Sequence, residues 1–329
     1  IMLEMALRFF GIYKSYNERS GKGEYVSLFK PGSPTPAPYT NISLVQTEFA
    51  TKWTANNEGL KNKPISIFKK GKRVLILGDS FTEGFGAPND SAYPRLFEKL
   101  VNLEFDSSLE VINGGLSGAD LFSEYKLFTQ KLLKYNPDYV LLTFNTTDFD
   151  EYAIRGGFER FVDSTKLIYR KPPWFEGLYA KSYLVRAIVH KVFGYDFTFL
   201  THKEHEENIV EANKMMEACI DSFALVCSTH NIKLGMIFQP LSFEITDPKK
   251  YIVTDLIAHC KESEIPYTDE FPFLIENGID NTNFSRIYWK LDTHFNSKGY
   301  ELLAKCAFAF FRDSIWQPAN SKSMQVVKN

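Results

Sequence analysis

A short aliphatic run that ends in glycine is the feature that most constrains the fold. Residues 73–77 read Arg-Val-Leu-Ile-Leu, and Gly78-Asp79-Ser80 follow at once. A run this apolar is typical of a strand buried on both faces of a parallel sheet. The glycine lets the chain turn sharply at the carboxyl end of the strand, where α/β sheets place their ligand crevice. We therefore expect Ser80 at the mouth of that crevice, although a turn without function is the alternative for these three residues alone.

The alternation of strand, loop and helix continues along the chain after this run. Apolar runs predict four more strands, at residues 109–113, 138–144, 232–238 and 265–268. Helical spacing of apolar residues predicts helices at residues 91–103, 120–135, 209–226 and 300–311. Alternating strands and helices indicate an α/β fold of three α/β/α layers around a parallel sheet. Right-handed crossovers favour the flavodoxin-like strand order.

Composition changes along the chain predict its domain organisation. We expect an N-terminal segment at residues 1–70, one domain at 71–315 and a tail at 316–329. Within the first segment, residues 14–40 suit a linker or strap because four prolines, Pro31, Pro34, Pro36 and Pro38, lie close together. Residues 41–62 suit an edge element laid on the main domain.

Residues 151–205 are longer than a crossover between two strands requires. They are rich in aromatic residues mixed with arginine and lysine. This insertion is either a lid or substrate-facing element, or a helical decoration with a small core of its own.

Charge and hydropathy bear on the partners of the chain. The net charge is −2 and no long basic run is present, so we expect no nucleic-acid partner. No run of 18 apolar residues is present, so the sequence holds no complete membrane span. Residues 1–13 are apolar apart from two charges, and the first residue is not methionine. They suit the end of an anchor or signal segment, which predicts membrane association and a cell-envelope or secreted location. An amphipathic helix packed on the body is the alternative, and a cytoplasmic location stays open.

Neither the cysteines nor the histidines indicate a metal site. The four cysteines show no Cys-x-x-Cys spacing, and Cys219 and Cys227 lie eight apart on one predicted helix. That separation is about 12 Å along the axis, too far for a disulfide, so buried free thiols are expected. His202 and His205 stand among glutamates and suit a solvated helix face. No Gly-x-Gly-x-x-Gly or Walker motif is present, and we expect no cofactor.

A second polar motif, Asp292-Thr293-His294, stands near the C-terminus. Residues two apart in an extended segment project to the same side, so Asp292 can reach the imidazole of His294. An acid that holds one ring nitrogen leaves the other to take a proton from a serine hydroxyl. Alone, Asp-x-His more often marks the start of a capped helix. Together with Gly-Asp-Ser, it predicts a Ser80–His294–Asp292 triad.

These motifs, in this order, resemble the blocks of the SGNH/GDSL hydrolase superfamily along residues 73–311. Gly78-Asp79-Ser80 matches the nucleophile block, and Asp292-Thr293-His294 matches the final block in a shorter spacing. Residues 111–118, Val-Ile-Asn-Gly-Gly-Leu-Ser-Gly, match the second block. The resemblance implies an SGNH-hydrolase fold and a carboxylic-ester hydrolase with a serine nucleophile. It also implies an oxyanion hole that includes the N–H groups of Ser80 and Gly115.

The third block departs from the family pattern. Where the family usually has Gly-x-Asn-Asp, this chain has Asn145-Thr146-Thr147-Asp148. Thr147 replaces the asparagine whose amide would be the third oxyanion donor. A threonine hydroxyl can donate one hydrogen bond, and Asn145 could supply an amide instead. We expect a working but altered oxyanion hole, with Asp148 bracing the loop, and an inactive enzyme is the alternative.

Three functions follow from these motifs. The leading prediction is a serine esterase that hydrolyses a small acyl ester, such as an O-acetyl group, on a glycan or lipid. The same triad could instead transfer the acyl group to another alcohol. A non-catalytic glycan- or lipid-binding module that uses residues 151–205 is a third reading.

Overall fold

The computed structural model describes residues 1–15, 18, 24–31, 35–105, 109–162 and 166–316. The strands, in chain order, are β1 (Asn41–Val45), β2 (Ala50–Thr54), β3 (Arg73–Gly78), β4 (Glu110–Gly115), β5 (Tyr139–Phe144), β6 (Lys233–Phe238) and β7 (Tyr267–Asp269). The first helices are α1 (Met2–Phe9), α2 (Ser80–Glu83), α3 (Tyr93–Phe105), α4 (Leu121–Leu127), α5 (Thr147–Arg155), α6 (Glu176–Lys181) and α7 (Tyr183–Lys191). The remaining helices are α8 (His202–Thr229), α9 (Ser242–Thr246), α10 (Thr254–Glu262), α11 (Glu270–Glu276) and α12 (Ser297–Phe310).

Strands β3 to β7 form one parallel sheet in the order β4-β3-β5-β6-β7. This is the flavodoxin-like order, so the predicted fold class and topology are confirmed. In the register of the sheet, Leu75 pairs with Ile112 on one side and with Val140 on the other. Gly78 pairs with Gly115, so the loops after β3 and β4 leave the sheet at the same level.

The sheet is covered on both faces, which makes three layers. Leu75 and Leu77 of β3 join a core cluster with apolar residues of α4, α8 and α10. Val74 and Ile76, which point the other way, join a second cluster with residues of α3 and α12. All four side chains are fully buried, as the continuous apolar run requires.

Helix ends differ from the prediction where capping or a change of helix type sets them. Helix α8 begins at His202 rather than at Ile209, because Thr201 and Glu204 form a capping box before the first apolar residue. Asp120 caps α4 as predicted, accepting from the Ser123 N–H at 2.9 Å. Regular α-helix then ends at Leu127, and a π turn at Phe128–Leu132 and a 3₁₀ turn at Leu133–Tyr135 complete the predicted length.

The N-terminal residues contact the segment that contains α6 and α7. Glu4 of α1 accepts hydrogen bonds from the backbone N–H groups of Tyr183 and Leu184, at 3.1 and 2.7 Å. No helix in the described part of the chain is both long and apolar enough to span a bilayer. Pro34 of the predicted strap and the predicted tail beyond Trp316 lie outside the described residues.

The insertion at residues 151–205 packs partly on itself. Tyr179, Val189 and Phe199 form a small buried cluster, against which Tyr25 and Phe29 of the N-terminal segment also pack. The part of the insertion around α6 and α7 thus has a small core of its own.

Candidate active site

Ser80 lies two residues after the carboxyl end of β3, where the chain leaves the sheet. A side chain at Gly78 would stand 2.1 Å from Thr82 Oγ1, so the sharp turn has room for glycine alone. Asp79 caps α2 by accepting from the Phe81 N–H at 2.8 Å. Ser80 is therefore the first residue of a short helix at the edge of the sheet, with its side chain half-buried.

The structure brings Ser80, His294 and Asp292 together. Ser80 Oγ lies 2.8 Å from Nε2 of His294, and Nδ1 of the same ring lies 2.6 Å from Asp292 Oδ1. Asp292 is buried and the His294 side chain is 16% exposed, so the ring is mostly shielded from water. The order hydroxyl, imidazole, carboxylate is the one in which histidine can take a proton from serine.

Two aromatic rings hold the His294 imidazole. The Phe81 ring centroid lies 4.8 Å from that of His294, and the Phe85 centroid lies 4.6 Å away. Both phenylalanines come from the turn that follows Ser80. The nucleophile helix and the imidazole are therefore packed against each other as one unit.

The loop after β4 meets the nucleophile helix at Gly115. A Cβ there would lie 2.1 Å from the backbone nitrogen of Glu83. The Gly115 N–H donates to Asn113 Oδ1 at 2.9 Å, so it is already paired. The N–H groups of Leu116, Ser117 and Ala119 also have acceptors. Among the described residues, no acceptor is found for the N–H of Gly118, whose φ is +75°.

Asn145 is joined to Asp79 of the turn after β3, and Thr147 is joined in turn to Asn145. The Asn145 amide donates to Asp79 Oδ2 at 2.9 Å, and its oxygen accepts from the Thr147 hydroxyl at 2.6 Å. Burial raises the pKa of Asp79. The single hydroxyl proton of Thr147 is thus engaged by Asn145, whereas Asn145 keeps a second amide hydrogen. In the next position, Asp148 accepts from the Leu121 N–H at 2.9 Å and holds the start of α4.

Two buried ionisable side chains, Glu83 and Lys61, hold the far end of α2. Glu83 Oε2 accepts from the Ser117 N–H at 2.7 Å and from the Ser117 hydroxyl. Lys61 donates to the carbonyl oxygens of Gly84 and Ala87, at 2.7 and 2.8 Å. Burial raises the pKa of Glu83 and lowers the pKa of Lys61 to about 8. The helix that carries Ser80 is therefore tied both to the loop after β4 and to the N-terminal segment.

A cleft of about 1130 Å³ lies between the N-terminal segment and the loop at residues 115–119. Its lining includes the acidic residue Glu83. It also includes four cationic residues, Lys61, Lys126, Arg155 and Lys166, and three aromatic residues, Trp53, Phe161 and Tyr169. A cation lies over each of the three rings. The distance to the ring centroid is 6.0 Å for Lys61 over Trp53, 5.4 Å for Lys126 over Phe161 and 5.6 Å for Arg155 over Tyr169. The lining thus holds four cationic side chains and one acidic side chain, and Arg155 is also ion-paired with Glu151 at 3.0 Å.

The remaining candidates lie elsewhere. His202 is 89% exposed, and His205 Nδ1 lies 2.9 Å from Asp196 Oδ2. No group of three or more His, Cys, Asp or Glu side chains that could hold a metal ion is found in the described part of the chain. All four cysteines are buried and unpaired, as predicted.

Several residues at this site were not predicted from the sequence. Asn113 lies inside the second matched block and Glu83 lies three residues after the first, but nothing in the sequence indicates which backbone N–H groups their side chains accept from. A glycine two residues before the N-cap Asp120 is the signal that could have found Gly118, because a positive φ favours glycine. Glu48, which accepts from three backbone N–H groups of the loop at residues 289–294, gave no signal at all.

Comparisons with known proteins give partial similarity. No protein-family model matches the sequence. An arylesterase from Vibrio mimicus is 31% identical over 77 residues, which are 23% of this chain and 38% of the arylesterase. The match therefore spans less than half the length of that relative.

Several solved structures are similar to part of the chain. TesA has a TM-score of 0.46 at 11% identity, covering 73% of this chain and 98% of that one. A variant of a Geobacillus acetyl-xylooligosaccharide esterase has a TM-score of 0.46 at 14% identity, covering 77% and 98%. The psychrotrophic esterase EstA from Pseudoalteromonas has a TM-score of 0.43 at 13% identity, covering 73% and 97%.

The family resemblance is drawn from the chain itself. The sheet order is β4-β3-β5-β6-β7, and the blocks at residues 78–80, 111–118 and 145–148 lie at the carboxyl ends of the neighbouring strands β3, β4 and β5. The final block, Asp292-Thr293-His294, lies in the loop before α12. Ser80, His294 and Asp292 meet at that edge of the sheet. In these features the chain has a three-layer α/β/α fold with a flavodoxin-like sheet, and its motifs resemble the blocks of the SGNH/GDSL hydrolase superfamily.

Proposed function

We propose that this chain is a serine esterase that hydrolyses a small acyl ester, such as an O-acetyl group on a glycan. The observation that carries the proposal is the pair of distances at His294, 2.8 Å to Ser80 Oγ and 2.6 Å to Asp292 Oδ1. A hydroxyl, an imidazole and a buried carboxylate in this order suit acyl transfer through a covalent intermediate.

In the proposed reaction, Ser80 Oγ attacks the ester carbonyl carbon while its proton passes to Nε2 of His294. Asp292 accepts the Nδ1–H hydrogen bond and stabilises the charged ring. The tetrahedral intermediate collapses as His294 protonates the leaving alcohol. Water, deprotonated by the same ring, then attacks the acyl-serine. The bond to Ser80 Oγ breaks as His294 returns the proton to that oxygen, and the carboxylic acid is released.

Backbone and amide N–H groups would stabilise the oxyanion. Ser80 and Gly115 are the donors that the family resemblance implies. Because the Gly115 N–H is paired with Asn113, we add the neighbouring Gly118 N–H as a candidate. For the third donor we favour the Asn145 amide over the Thr147 hydroxyl, since the hydroxyl proton is engaged.

We place the alcohol part of the substrate in the cleft beside the loop at residues 115–119. Its excess of cationic side chains suits a glycan that carries carboxylate or other anionic groups. A location at the cell envelope belongs to the same proposal. It rests on the exposed apolar side chains of the N-terminal residues, which include Met2, Met5 and Phe9, and cell fractionation tests it.

A panel of p-nitrophenyl esters from acetate to palmitate, run beside the Ser80→Ala variant, tests the function. We expect the wild type to prefer short acyl chains and the variant to lose cleavage. A fluorophosphonate probe should label Ser80 in the wild type, whereas an unlabelled wild type would indicate a binding module. Mass spectrometry with a polysaccharide acceptor separates hydrolysis from acyl transfer, because a transferase would leave the acyl group on the acceptor.

A further inference from the structure

The loop that carries Asp292 and His294 is a tight turn with a strained residue at its centre. The Trp289 N–H donates to the His294 carbonyl at 2.8 Å, and the Thr293 N–H donates to the Trp289 carbonyl at 3.1 Å. Thr293 has a φ of +73°, in the left-handed region that β-branched residues avoid. Such a conformation persists only where its surroundings hold it. The loop therefore needs contacts from outside itself.

Those contacts come from the tip of the hairpin formed by β1 and β2. Glu48 Oε1 accepts from the Lys290 N–H at 2.9 Å. Glu48 Oε2 accepts from the Leu291 and Asp292 N–H groups, at 2.8 and 2.9 Å. One carboxylate thus accepts hydrogen bonds from three successive backbone N–H groups of the loop. Charge-assisted hydrogen bonds of this kind are stronger than neutral ones.

The residue after Glu48 adds an apolar contact to the same loop. Phe49 is buried, and its ring centroid lies 5.4 Å from that of Trp289 and 5.6 Å from that of Phe85. Phe85 in turn lies 4.6 Å from the His294 ring. The hairpin tip therefore contacts two elements that surround the His294 imidazole. Glu48 binds the backbone of the loop that carries His294, and Phe49 packs on Phe85, whose ring packs on the imidazole.

We propose that Glu48 is a positioning residue for the esterase reaction. Its carboxylate holds residues 290–292 so that Asp292 stays within hydrogen-bonding distance of His294 and His294 within reach of Ser80. This inference rests on the proposed function of Ser80, and it makes the N-terminal hairpin part of the catalytic unit. The hydrogen bonds of Glu48 go to the backbone N–H groups of residues 290–292, so it acts through the position of that loop.

The test compares Glu48→Ala, Glu48→Gln and, as a control from the same hairpin, Lys52→Ala, whose side chain is exposed. We expect Glu48→Ala to lower kcat for p-nitrophenyl acetate by about 10- to 100-fold, the cost of a small misplacement of catalytic groups. KM should change little, because the binding surface is intact. Glu48→Gln should recover part of the loss, since an amide oxygen still accepts. Lys52→Ala should match the wild type.

A second readout does not depend on turnover. In ¹H–¹⁵N spectra, the Nδ1–H of His294, assigned with a His294→Gln variant, should be lost or broadened in Glu48→Ala. A kcat and a His294 signal that both stay at wild-type values in Glu48→Ala would overturn the proposal. If the wild type itself is not labelled at Ser80, the proposed function fails, and the His294 signal alone then decides whether Glu48 positions the ring. Circular dichroism and thermal unfolding identify a variant that has merely lost its fold.

Discussion

At the level of single residues, Gly115 is the position where the second block and the nucleophile helix come closest. A methyl group there would lie 2.1 Å from the Glu83 nitrogen, a backbone atom that cannot swing aside. We expect Gly115→Ala to push α2 away from its place, lowering activity by at least about tenfold and stability by about 1–3 kcal/mol. Ester cleavage and urea unfolding measure the two effects.

Gly118→Ala is the matched comparison for that substitution. A Cβ at Gly118 has only Arg155 Nη2 nearby, at 3.8 Å, but the φ of +75° disfavours any side chain. The expected cost in stability is about 1–2 kcal/mol, from backbone strain and not from a clash. A Gly115→Ala variant with the activity and stability of the wild type would contradict the steric reason given for Gly115.

The two candidate donors of the third block can be separated by substitution. Asn145→Ala removes both the amide that holds Asp79 and the second amide hydrogen. We expect it to lower kcat by about 10²–10³, the range for an oxyanion donor. Thr147→Val removes only a hydroxyl that donates to Asn145, and a loss of a few-fold is expected. A Thr147→Val loss as large as that of Asn145→Ala would make Thr147 the donor.

The sequence predicted the three residues of the proposed triad, which the structure brings together, because each belongs to a short motif that follows a recognisable pattern. Ser80 ends an apolar run, and Asp292 is two residues from His294. The partners of backbone amides could not be read in this way. Glu48 and Asp292 are 244 positions apart, and their contact depends on how a hairpin lies on a distant loop. The hydrogen bond from the Gly115 N–H to Asn113 Oδ1 likewise depends on how the backbone is oriented at the end of β4.

At the level of elements, α9 is joined to the start of α5 by a buried carboxyl group. Glu244 accepts from the Leu241 N–H at 2.6 Å and from the Thr146 hydroxyl, and it is fully buried. Burial raises the pKa of Glu244 to about 7. Between the pKa of an unfolded glutamate, about 4.3, and that value, the folded chain holds a proton that the unfolded chain has released. The free energy of unfolding therefore falls as pH rises through this window.

Glu244→Gln tests that dependence by removing the titration. Between pH 4.5 and pH 7, the free energy of unfolding of the wild type should fall relative to that of the variant. Chemical unfolding at several pH values measures it. Glu262→Gln, at an exposed position of α10, is the control and should leave the pH dependence unchanged. A wild-type profile parallel to that of Glu244→Gln would contradict the buried proton.

The strands were easier to predict than the helix ends for a physical reason. Burial on both faces forces a continuous apolar run, so β3 and β5 stand out in the sequence. Helix ends depend on capping, as the extended start of α8 shows, and on turns of other types, as after α4. The hairpin of β1 and β2 was expected only as an edge element, because alternation alone does not say what its tip contacts.

At the level of the whole molecule, charge is distributed unevenly. The net charge is −2, yet Lys61, Lys126, Arg155 and Lys166 line one cleft beside the candidate active site. A field of one sign over a cleft attracts ligands of the opposite sign and weakens as salt is added. We therefore expect the Ser80→Ala protein to bind an O-acetylated acidic oligosaccharide more tightly than a neutral one of equal length.

Isothermal titration calorimetry at low and high salt measures this preference. Raising the ionic strength from 0.01 to 0.15 M shortens the screening length from about 30 to about 8 Å, so affinity for the acidic ligand should fall. Lys126→Glu should weaken binding by about five- to tenfold, since it replaces an attraction by a repulsion at the cleft wall. Lys261→Glu reverses an exposed charge on α10, outside the cleft lining, and should not. Equal affinity for neutral and acidic ligands at every salt concentration would show that the cationic lining does not select the substrate.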